Sequence, residues 1–61
     1  MKGDTNMIPT TMYLNFIRNA IKTEGIHVAD TANKLALEMK RISLDQYRAA
    51  AQILVEAYLA Q

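Results

Sequence analysis

From Ile42 to Gln61 the chain reads as one helix whose apolar residues wrap most of its circumference. Ser43 followed by Gln46 three residues on is a capping box: the hydroxyl takes a free amide and the carboxamide returns to the cap. Ile42, just before the cap, is placed to staple against Tyr47. Ala49-Ala50-Ala51 adds intrinsic helix propensity, and no Gly or Pro follows to stop the helix. At about 100° per residue, Leu44, Tyr47, Ala51, Leu54 and Tyr58 fall on one line with coiled-coil spacing. Ala49, Ala50, Ile53, Ala57 and Ala60 widen that line on one side and Val55 on the other, leaving only Asp45, Arg48, Gln52 and Glu56 as a narrow polar strip. The apolar surface is roughly twice the ~100° stripe of an ordinary surface helix.

Two arrangements can cover such a surface. The rest of the chain can embrace it, or a second copy can share it. The chain has 61 residues, enough for one domain with a small core. Domains of this size are commonly reinforced by disulfides, a metal or oligomerisation. Cysteine is absent and His27 is the single histidine, so neither a disulfide nor a structural zinc site is available. Oligomerisation is the reinforcement that remains. The expected interface comprises Leu37, Tyr47, Ala50, Ala51, Ile53, Leu54, Ala57 and Tyr58, in a homo-oligomer with a dimer favoured.

Two further helices precede this one. Pro9-Thr10-Thr11 is a helix-start signal, a Thr hydroxyl serving the first-turn amides and Pro being tolerated at the entrance. Tyr13, Phe16, Ile17, Ala20 and Ile21 then recur on one face, with Asn15, Arg18, Asn19 and Lys22 opposite. Gly25 supplies the stop and Ile26 the apolar contact of a Schellman ending, so helix one is expected over 11–24. Helix two is expected over 28–41, with Val28, Ala32, Leu35, Ala36 and Met39 inward and Asp30, Asn33, Lys34, Glu38, Lys40 and Arg41 outward. Leu37 falls among the polar residues and breaks that pattern, while His27 is a weak candidate cap. Helix three spans 44–60. The prediction is an all-α, three-helix domain over 9–61, preceded by a flexible tail over 1–8. Residues 1–6 are polar and without periodicity, as a flexible tail is, and Met7 offers an alternative start that would make them an upstream extension.

Chemistry is sparse. No Cys is present, and Ser43, the one candidate nucleophile, is already explained by its cap. Asp45 and Glu56 stand too far apart on one strip to form an acid–base pair. No catalytic, cofactor-binding or metal-ligating residues are expected, and the chain reads as a non-enzyme without cofactors. Seven Lys and Arg against six Asp and Glu give a net charge of +1, a weak field for nucleic acid. Three helices with a short turn before the last also outline a helix-turn-helix DNA-binding regulator, which is the alternative reading. Against it, Arg48 and Gln52 are flanked by the carboxylates Asp45 and Glu56, which repel phosphates. Tyr13, Tyr47 and Tyr58 each lie on an apolar face, where core packing accounts for them better than base stacking. No apolar run reaches a membrane span and no secretory signal is visible, so a cytoplasmic location is expected.

Ile42-Ser43-Leu44-Asp45-Gln46-Tyr47, with Ala51 and Leu54 beyond, resembles the short C-terminal helical hairpin called SHOCT over about residues 32–56. That family carries an Ile-Thr/Ser turn, acidic first-turn residues, an aromatic and a closing Leu, and similar hairpins occur in small phage and prophage proteins. The chain departs from the pattern at Lys40-Arg41, where a Gly is usual, at Ala51, where a Lys is common, and in its extra N-terminal helix. The resemblance implies an oligomerisation or interaction module of phage or other mobile-element origin, and carries over no site. The function expected is a small accessory or regulatory protein that acts by binding another protein.

Overall fold

Three helices in succession, α1 (Thr10–Glu24), α2 (Ile26–Glu38) and α3 (Leu44–Ala60), make up the computed structural model, which describes residues 7–61. The all-α, three-helix expectation is met, and each helix packs against both of the others. Tyr13 and Ile17 of α1, Ala29 of α2, Ile42 from the α2–α3 turn, and Ala50 and Leu54 of α3 form the core. Each large aliphatic in it, fully buried, contributes about 1.5–3 kcal/mol. No helix among the described residues is long and apolar enough to cross a membrane.

Helix α2 begins two residues earlier than its periodicity suggests, because the junction with α1 is a single residue. The Gly25 amide donates to the Ala20 and Ile21 carbonyls at 3.1 and 3.2 Å, closing α1, and its own carbonyl accepts from Ala29 at 3.1 Å, opening α2. This double duty needs φ +100 and ψ 164, a backbone region essentially reserved for glycine. Ile26 therefore enters the first turn of α2 and packs on the core. His27 is not a cap: it lies within that turn, and its carbonyl accepts from the Thr31 hydroxyl at 3.0 Å.

The other end of α2 is also corrected. The helix stops at Glu38 rather than Arg41, in a Schellman ending: the Arg41 amide donates to the Ala36 carbonyl at 2.9 Å and the Lys40 amide to Leu37 at 3.0 Å. Lys40 takes the left-handed position at φ +60, so it lies past the helix rather than in its last turn. The early stop turns the chain sharply enough to bring Ile42 into the core, 2% exposed, directly before the α3 cap.

The capping box forms as expected. The Gln46 amide donates to Ser43 Oγ at 3.1 Å, and the Ser43 amide to Gln46 Oε1 at 2.7 Å. Gln46 does more than the box requires, since its Nε2 donates to the Ile8 carbonyl at 2.6 Å and to Thr10 Oγ1 at 3.1 Å. The Ile8 amide in turn donates to the Arg41 carbonyl at 3.0 Å. The Thr cap expected for α1 is absent: Pro9 occupies the cap position without a side-chain bond, and the Thr10 hydroxyl serves Gln46 instead. Of the tail expected over 1–8, residues 1–6 lie outside the described residues, while Ile8 is held at both its amide and its carbonyl.

The largest departure from expectation is the rotation of α2. Its inward residues are Ala29 and Asn33, flanked by Ala36 and Leu37. The predicted inner stripe largely faces solvent: Val28, Leu35 and Met39 are all exposed. Asn33, placed outward by its polarity, is 1% exposed. It accepts from the Tyr13 hydroxyl and donates through Nδ2 to the Tyr47 carbonyl at 3.3 Å, so one side chain on α2 ties α1 to α3. Burying an amide is tolerable when it is paired in this way. The small Ala29 and Ala36 beside it let α2 lie close to its neighbours.

Candidate functional site

The rotation of α2 leaves an apolar groove between α1 and α2. Met12 and Phe16 of α1 form one wall, and Ala32, Leu35 and Met39 of α2 form the other. Tyr13 and Ala36 lie at its base, Ile8 and Arg41 at one end, and it encloses about 440 Å³. The exposure of its walls is unusual for such residues: Met12 62%, Phe16 53%, Leu35 51% and Met39 58%. Val28 extends the same row of α2 by one further turn.

The groove is held in shape from below. Phe16 leans on Tyr13 with ring centroids 6.1 Å apart, and Tyr13 is fixed by its bond to Asn33. Met12 and Met39 are the adaptable parts of the groove, since the unbranched thioether side chain is flexible. The rim is polar, with exposed Asn15 and Asn19 along α1, Thr31 and Glu38 along α2, and Arg41 at the end. An apolar centre inside a polar rim is the general layout of a protein-binding surface.

A second apolar surface runs along α3. Leu44, Val55 and Tyr58 are each more than half exposed, with Ala51 between them. Where this row meets the start of α2, a hollow of about 290 Å³ is lined by Ile26, His27, Asp30, Ala51, Leu54, Val55 and Tyr58. The outer face carries the expected polar strip, Asp45, Arg48, Gln52 and Glu56, with Gln52 Nε2 donating to Glu56 Oε2 at 3.1 Å.

The residues expected at an interface divide three ways. Ala50 and Leu54 are spent on the core of the chain itself. Leu37, Tyr47, Ala51, Ile53 and Ala57 are half-buried, and Leu37, Tyr47 and Ile53 of these pack against the core. Tyr58 is free, at 60% exposure. The sequence pattern hides the α1–α2 groove, because periodicity places Phe16, Leu35 and Met39 in the interior. Leu37, outside the predicted inner stripe, gives α2 apolar residues on two sides, and the side that carries Leu37 is the one packed on the core.

Among the described residues no three of His, Asp and Glu come together as a metal-ion set. The Asp30 carboxylate and Lys34 ammonium pair at 3.1 Å on the solvated face of α2. Burial raises the Tyr13 phenol above its usual pKa, with the nearby Tyr47 adding to the effect. No protein-family model, curated protein or solved structure matches the chain.

Proposed function

We propose that this chain is a small helical interaction module that acts by self-association, as an accessory or regulatory protein without catalytic chemistry of its own. The observation that carries the reading is the placement of Met12, Phe16, Leu35 and Met39, each more than half exposed on one side of the molecule. Scattered apolar residues on a surface need no explanation, but a contiguous groove of them marks a place where another protein sits. The modest core supports the same reading, since a domain this small gains much from burying surface against a partner. The SHOCT-like outline of α2, the turn and α3 agrees with an oligomerisation module.

A DNA-binding role draws less support. A recognition helix offers polar side chains to base edges, whereas α3 exposes Leu44, Val55, Tyr58 and Leu59 beside its mixed-charge strip. Light scattering at high micromolar concentration tests the proposal. A multiple of the 6.9 kDa chain mass is expected, and a strict monomer overturns it. A gel shift at low salt checks the alternative, and retardation of a duplex would favour that alternative instead.

A further inference from the structure

We infer that the α1–α2 groove is the contact face of a two-fold dimer in which the α2 helices of two copies pack antiparallel. The inference rests on the self-association reading and names its surface and geometry. The outward row of exposed Val28, half-buried Ala32, and exposed Leu35 and Met39 is spaced four, three and four residues apart, so its spacing is the same from either end. Turning a second copy end to end sets Val28 against Met39 of that copy, and Ala32 against its Leu35. Each large side chain then meets a smaller one, as ridge-into-groove packing requires. A parallel pairing sets Leu35 on Leu35 and Ala32 on Ala32, crowding one layer and emptying the next.

The surface is large enough. Met12, Phe16, Val28, Leu35 and Met39 are each half or more exposed. On the scale of side chains that bury 150–250 Å² when aromatic, they offer about 500 Å² together. A stable interface takes about 800 Å² from each partner, so the apolar centre supplies more than half and the rim the remainder. The rim also suits a second copy. Glu38, on the outer edge of α2, comes level with the edge that carries His27 and Thr31 of the other molecule. A net charge of +1 per chain adds little repulsion. Residues 1–6 are a poor alternative occupant, because Met1 is their one large apolar side chain.

The test compares wild type with Leu35→Glu, Met39→Glu and Tyr58→Glu by sedimentation and light scattering, with circular dichroism to confirm folding. All three positions are more than half exposed, so the helices tolerate the changes. A dimeric wild type, dimerisation at least about 30-fold weaker in Leu35→Glu and Met39→Glu, and an unaffected Tyr58→Glu are expected. A dimer broken by Tyr58→Glu alone overturns the groove while self-association stands; a monomeric wild type overturns both. Orientation is read by disulfide trapping, which the absence of native cysteine makes clean. Mixed Val28→Cys and Met39→Cys proteins should cross-link to each other and neither to itself. Self-linking of Val28→Cys without mixed linking overturns the antiparallel arrangement.

Discussion

The Tyr13 hydroxyl donates to Asn33 Oδ1 at 2.5 Å across the α1–α2 interface, with both side chains 1% exposed. Asn33→Ala leaves a buried phenol without a partner and should cost about 1–3 kcal/mol. Adding Tyr13→Phe removes that orphan and should recover part of the loss. Urea melts of both single variants and the double variant measure the coupling, and strictly additive losses would show that the two side chains do not act together.

The same phenol gives the fold an alkaline weakness. Burial, reinforced by Tyr47, raises the Tyr13 pKa in the folded state above the usual 10.0. The folded state therefore holds the proton more tightly than the unfolded one. This contribution is fully present below pH 10 and is lost as the pH rises through the folded value. Wild type should lose up to about 1.4 kcal/mol per pH unit in that range relative to Tyr13→Phe. Denaturation of both at pH 9 and pH 11 checks it, and a constant difference between them would contradict it.

Gln46 makes an unusual prediction because the capping rule accepts Glu and Gln alike. Here the Nε2 group donates to the Ile8 carbonyl and the Thr10 hydroxyl, so an amide is required. Gln46→Glu keeps the box yet faces a partly buried carboxylate with a carbonyl oxygen. A loss of about 1–3 kcal/mol is expected near neutral pH. Partial recovery should follow at acid pH, where the protonated acid can donate. Chemical denaturation at pH 4 and pH 7, with wild type as reference, separates this outcome from simple loss of the cap.

Two backbone positions should respond in opposite directions. Lys40 carries the left-handed conformation without being glycine, so Lys40→Gly should stabilise the protein by about 1 kcal/mol. Gly25→Ala meets no atom within 4 Å of the added carbon, so its cost is conformational alone. With φ at +100 that cost should be about 1–3 kcal/mol. Thermal melts of the pair test both signs.

Much of the fold was legible in the chain. Ser43 with Gln46, Ile42 ahead of them, and Gly25 fixed two helix boundaries, because caps and stops are local and depend on a few side chains. The orientation of α2 was not legible. Its outer row of Val28, Leu35 and Met39 is more apolar than the row it buries, so periodicity favoured the wrong side. What reversed the choice is a pairwise bond between residues twenty apart in sequence, Tyr13 and Asn33, which single-helix patterning does not register. Buried tyrosine hydroxyls need partners, and that rule alone could have drawn attention to Asn33. The reach of Gln46 back to Ile8 and Thr10 was hidden for the same reason.

Asn33 also acts as a latch. Its amide has to satisfy α1 and α3 at once, and it can do so in one angular setting of α2. Rolling that helix to hide its greasier side would carry the amide out to water, break both attachments and strand the Tyr13 hydroxyl in the core. The fold thus forgoes the cheaper burial and leaves Val28, Leu35 and Met39 turned toward solvent.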